Sequence, residues 1–184
     1  MQDKFLFDLD VYRKLGTRRL SFKDWFINHD LRCLKIYRKA HYYYINGKKI
    51  RFLLQEARLI YLSSKFAFNI SSKATIGKGL FIGHNGPITI NGKAVIGNNC
   101  NISVGVTIGI ENRGKRVGAP VIGNGLWIGT NAVIVGKIHI GSNVLITPNS
   151  FVNFDVPSNS IVIGNPGIIK PCNNATDFYV VNKV

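Results

Sequence analysis

Four histidines, three cysteines and nine acidic residues are all that this chain offers for acid–base, nucleophilic or metal chemistry. His29 and His41 lie among bases in the first third, and His139 directly precedes Ile140. His84 differs: it stands in Ile82-Gly83-His84-Asn85-Gly86-Pro87, after a glycine that lets another backbone approach closely. A neutral imidazole can take the proton from a hydroxyl as that hydroxyl attacks a carbonyl, a contribution of about 10²–10⁴-fold. After residue 70 the only carboxylates are Glu111, Asp155 and Asp177. Cys33, Cys100 and Cys172 are odd in number and far apart, which fits neither a disulfide framework nor a Cys-x-x-Cys metal site. A three-histidine zinc site also fails on spacing, so no metal is expected.

The elements that must position His84 follow from a repeat. Isoleucine falls at 76, 82 and 88, then at 96, 102 and 108, then at 122, 128, 134, 140 and 146, with Val152 in the next place. Small or aliphatic residues such as Ala94, Cys100, Val106 and Ala132 lie two places earlier, and glycine often follows the isoleucine. Neither a helix, at 3.6, nor a simple strand, at 2, produces a period of six. A solenoid does, with each hexad forming one short strand and one turn and the aliphatic residue stacking inward. The hexad breaks twice, between Ile88 and Ile96 and between Ile108 and Ile122. Insertions in a repeat protein become loops and often its binding face, and His84 lies beside the first.

Residues 1–70 have another grammar, with 15 Lys/Arg against 6 Asp/Glu and no proline. Leu34 and Tyr37, then Ile50, Leu53, Leu54, Ala57, Ile60 and Tyr61, recur at helical steps, and Asn46-Gly47 reads as a turn between two antiparallel helices. The expected division is a basic α-helical region over 1–70, a β-helix domain over 71–170 with an extended loop at 109–121, and a tail over 171–184. The net charge of +15 favours anionic partners. Peripheral contact with anionic membrane is the expectation for the basic helices, and no nucleic-acid motif is present. The amino terminus has no apolar signal core, and a cytoplasmic protein is expected, peripheral at the inner face of the membrane where it touches lipid.

The Ile-Gly-x-x-small-x repeat and Ile163-Gly164-Asn165-Pro166 resemble the left-handed β-helix acyltransferases, above all serine acetyltransferases, over residues 69–170. The resemblance implies a mainly β fold, a left-handed parallel β-helix of hexapeptide repeats behind a small helical region, assembled as a homotrimer. It implies acetyl-CoA as acyl donor and His84 as general base. It places Gly109 and Ile110 near the thioester, Thr130 and Pro148 along the pantetheine arm, and Lys170 near the nucleotide phosphates.

The chain departs from that family at three places. Asn69 stands where the acidic partner of the histidine is expected, and Ser71 and Ala119 replace two substrate-binding histidines. An amide carbonyl can fix an imidazole tautomer without stabilising imidazolium, so Asn69 is the expected second catalytic residue, with Glu111 as the other candidate support. The basic helical N-terminus, Ile82-Gly83-His84-Asn85-Gly86 and Asn101-Ile102-Ser103-Val104-Gly105-Val106-Thr107-Ile108-Gly109 resemble the capsule and exopolysaccharide O-acetyltransferase subgroup. The implied acceptor is a glycan hydroxyl held by Asn85 and Asn101. The alternatives are serine O-acetylation, or a non-catalytic basic module on anionic membrane or nucleic acid.

Overall fold

The computed structural model describes residues 29–83 and 86–180. Two helices, α1 (His29–Ile45) and α2 (Lys49–Phe66), are joined by Asn46–Lys48, where Gly47 takes a left-handed φ of 65°. They run antiparallel, as His29 at the start of α1 stacks on Phe66 at the end of α2 with ring centroids 4.0 Å apart. The buried side chains of α2 are Gln55, Leu59 and Leu62. The stripe from Ile50 to Tyr61 that the periodicity singled out is exposed instead, because α2 packs on α1 through the opposite side.

Beyond Phe68 the chain winds through three sheets in turn. Sheet A stacks β1 (Phe68–Ile70), β4 (Ile88–Ile90), β7 (Thr107–Gly109), β10 (Val133–Val135) and β13 (Phe151–Val152). Sheet B stacks β2 (Thr75–Ile76), β5 (Val95–Ile96), β8 (Val121–Ile122) and β11 (His139–Ile140). Sheet C stacks β3 (Phe81–Ile82), β6 (Asn101–Ile102), β9 (Trp127–Ile128), β12 (Val144–Ile146) and β14 (Ser160–Ile163), and closes with the antiparallel β15 (Ile168–Pro171). Up to β13 every third strand returns to the same sheet, so three hexads make one coil of a parallel β-helix.

The hexad isoleucines form the expected inward ladders. Ile76, Ile96, Ile122 and Ile140 lie in register down sheet B, and Ile82, Ile102, Ile128 and Ile146 down sheet C. All eight are buried. Each such side chain contributes about 1.5–3 kcal/mol by leaving water, and its β-branch suits a strand. At the corner from sheet B to sheet C the coils nearly touch. A Cβ at Gly97 would sit within 2.6 Å of the Gly123 carbonyl carbon, which is why glycine follows isoleucine there. The same corner is tied by side chains, with Asn98 N donating to Asn124 Oδ1 at 2.7 Å and Asn124 N to Ser142 Oγ at 3.0 Å.

The first coil would present unpaired carbonyls, a liability for any exposed strand edge. Helix α1 covers them. Tyr37 donates its hydroxyl to Ala74 O at 2.7 Å, Arg38 donates Nη1 to Ile76 O at 2.6 Å, and His41 Nδ1 lies 2.9 Å from Ser72 O. His41 is half-buried, and with a carbonyl as partner its Nδ1 carries the proton.

Candidate active site

His84 and Asn85 lie outside the described residues, and Gly83 and Gly86 flank them in the sequence. Gly83 N donates to Ile102 O at 3.1 Å, which continues the sheet C pairing to the corner. Gly86 has a φ of 155°, and a Cβ there would collide with Val104 Cγ2 of the next coil. Below it, Gly105 N donates to Pro87 O at 2.6 Å, Asn131 N to Val104 O at 3.0 Å, and Asn149 N to Thr130 O at 2.9 Å. One edge of the β-helix therefore carries, coil by coil, Gly86–Pro87, Val104–Gly105, Thr130–Asn131 and Pro148–Asn149. Gly105, at φ 79°, has no room for a Cβ against the Asn131 amide.

Asn69 lies mid-strand on β1, exposed, in register with Thr89 of β4, the strand that starts just after the His84 turn. Thr130 and Pro148 share the edge of that turn, but Gly109 and Ile110 do not. They stand at the far edge of sheet A, where β7 ends opposite Val135. Four residue steps of extended chain lead from Gly105 to Gly109, roughly 13 Å at about 3.3 Å per residue. Lys170 is exposed on β15 beside Ile161.

The long loop leaves from that far edge. Glu111 and Gly118 exchange backbone hydrogen bonds of 2.9 and 3.0 Å, and Lys137 N donates to Arg116 O at 2.8 Å. Glu111 Oε1 accepts from Asn112 N at 3.1 Å, so its carboxylate serves its own loop, across sheet A from Gly86–Pro87.

Asn101 ties down the C-terminal segment. Its side chain is buried, and Nδ2 donates to Tyr179 O at 2.7 Å, so it anchors the C-terminal segment where an acceptor ligand was expected. That segment is no loose tail. Asn143 donates to Asn173 O at 2.8 Å and accepts from Thr176 Oγ1 at 2.7 Å, and Tyr179 packs on Trp127 with centroids 4.7 Å apart. Residues 173–180 thus cross the outer face of sheet C, from Asn143 past Trp127 to Asn101. The sequence signal for it was a tryptophan and two asparagines at outward or turn positions that the repeat does not require.

Cys100 is buried, and desolvation pushes its thiol up to about 11 against the partial relief of backbone hydrogen bonds from Leu126 and Gly125. It stays a neutral thiol at physiological pH and is no nucleophile. Among the described residues no group of three or more His, Cys, Asp or Glu side chains could hold a metal ion.

Comparison with known proteins accords with this architecture. Residues 119–153 match the family model described as bacterial transferase hexapeptide (six repeats). Serine acetyltransferase 2 of Arabidopsis thaliana is 34% identical over 169 residues, 90% of this chain and 51% of that protein. The serine acetyltransferase of Staphylococcus aureus is 44% identical over 117 residues, 61% of this chain and 54% of the relative. The chain spans about half the length of the curated relatives it matches. Among solved structures, Neisseria gonorrhoeae serine acetyltransferase in complex with serine superposes with a TM-score of 0.78 at 30% identity, covering 92% of this chain and 68% of that one. Serine acetyltransferase in complex with coenzyme A from Brucella abortus gives 0.77 at 28%, covering 92% and 67%.

Repeat, fold and likeness together define a left-handed parallel β-helix of the hexapeptide-repeat acetyltransferase class. Within it, the chain belongs to the serine acetyltransferase family. These relatives are serine acetyltransferases, not the capsule and exopolysaccharide subgroup that the sequence resembled.

Proposed function

We propose that this protein is an acetyl-CoA-dependent O-acetyltransferase. His84 takes the proton of an acceptor hydroxyl while its oxygen attacks the thioester carbonyl. The tetrahedral intermediate then collapses, the carbon–sulfur bond breaks, and the CoA sulfur leaves with that proton. The carrying observation is the likeness, over 92% of the chain, to a serine acetyltransferase solved in complex with serine. A relative of the same fold solved with coenzyme A supports the donor. Thr130 and Pro148, on the edge below the His84 turn, are the residues proposed to meet the pantetheine arm, and Lys170 the nucleotide phosphates. Gly109 and Ile110 lie across sheet A, so they meet the thioester only if a second copy brings its far edge to the His84 edge. A cytoplasmic homotrimer is the assembly proposed, with residues 71–170 as the catalytic domain.

L-Serine is the acceptor that the relatives favour. A second reading, a sugar hydroxyl, rests on Asn69, Ser71 and Ala119, since a zwitterion loses hydration on entry and needs charged or strongly polar partners. Asn85 then joins the glycan subsite. Release of CoA from acetyl-CoA, followed with L-serine and with sugar acceptors, separates the two. Formation of O-acetylserine, abolished in His84→Ala, establishes the first reading; acetylation of a sugar alone establishes the second. No acceptor-dependent release with either would refute the O-acetyltransferase reading.

A further inference from the structure

Helix α2 is apolar on two opposite sides. Leu59 and Leu62 are buried toward α1 and the first coil, whereas Ile50, Leu53, Leu54, Ala57, Ile60 and Tyr61 form a stripe along the outer side. That stripe is open among the described residues, with Ile50 85% and Tyr61 64% exposed. Steps of seven set Arg51, Arg58 and Lys65 in a row along one flank, all exposed. Between α1 and α2, Ile36, Leu54, Ala57 and Tyr61 line a shallow groove together with Arg32 and Arg58. Residues 29–66 hold 9 Lys/Arg and only 2 acids, Asp30 and Glu56.

We propose that this outer face of α2 is a docking surface for an anionic lipid bilayer. The stripe enters the boundary between headgroups and acyl chains while Arg51, Arg58 and Lys65 meet lipid phosphates, the arrangement of an interfacial amphipathic helix. No helix among the described residues is long and apolar enough to cross a membrane, so the helix lies on the surface. Two other occupants fit less well. A second copy of the same face would bring basic rows together with almost no acid to offset them. Nucleic acid would satisfy the bases but leave four large aliphatic side chains in water, since stacking needs aromatic faces.

The test is sedimentation of the full chain with vesicles of phosphatidylcholine alone or with phosphatidylglycerol. Binding only to the anionic vesicles is expected, weakened at least about tenfold in Leu53→Ser/Ile60→Ser and in Arg51→Gln/Arg58→Gln, and reduced by salt. Unchanged melting temperatures in both variants guard against misfolding. The proposal is overturned if the wild type ignores anionic vesicles, or if only the arginine variant loses binding. It is also overturned if the stripe variant keeps full vesicle binding while a larger assembly dissociates, or if the wild type binds RNA and not anionic vesicles.

Discussion

Arg38 donates Nη2 to the carbonyl of Gly77 at 2.6 Å, alongside its bond to Ile76 O, from a helix that lies across the open end of the β-helix. A buried guanidinium ending on two backbone carbonyls costs more to remove than to keep, because the carbonyls are then left without donors. Arg38→Met should lower the unfolding free energy by roughly 2–4 kcal/mol with little change in sheet content. Chemical denaturation followed by circular dichroism measures it, and a change below about 0.5 kcal/mol would show that the cap contributes little.

His84→Ala is expected to keep fold and oligomeric state while acyl transfer falls by at least about 10². The measurement is acceptor-dependent CoA release against the uncatalysed background. Turnover equal to that of the wild type removes His84 from the chemistry.

Asn101→Ala should release residues 173–180 from sheet C, since the amide donor to Tyr179 O is lost. Faster trimming by carboxypeptidase, with the acceptor KM unchanged within about twofold, is the expected pair of results. A KM raised at least about tenfold with the segment still protected would assign Asn101 to the acceptor site.

The buried Cys100 thiol, pushed up to about 11 from an ordinary value of 9.0, links stability to alkaline pH. In the unfolded chain the thiol ionises first, so its contribution to stability is complete below about pH 9 and disappears as the pH rises toward about 11. Melting temperatures across that window should fall more steeply for the wild type than for Cys100→Ala, and the variant should retain acyl transfer. Parallel curves, or loss of transfer in a folded variant, would contradict the neutral-thiol assignment.

The repeat was legible because a ladder demands the same residue every sixth place, and Ile96, Ile102 and Ile108 answer to that demand locally. The turn at Asn46-Gly47 was legible for a similar reason, since a left-handed φ favours glycine. Arg38 and Asn101 were not. Arg38 reaches 39 residues onward and Asn101 reaches 78, and a side chain bonded to a distant carbonyl leaves no local pattern. Helix α2 misled in another way. Its longer apolar stripe is the exposed one, while Gln55 sits with Leu59 and Leu62 on the buried side, so periodicity located an apolar face without saying which way it points. Of the candidate site the sequence showed His84 and the hexad break after it, whereas Gly86 and Gly105 are fixed by the next coil rather than by their neighbours in sequence.

The corner that runs from Gly86 through Val104 and Thr130 to Pro148 works as a ruler. Its graduations are the spacing of stacked strands, about 4.8 Å, so three steps mark off roughly 14 Å between Gly86 and Pro148. The length is set by counting coils, not by any single contact. Removing one whole coil between them would leave every remaining ladder in register yet shorten the reach by one graduation. A ligand measured against this edge would then overrun it at one end by about 4.8 Å, with no residue of the edge altered.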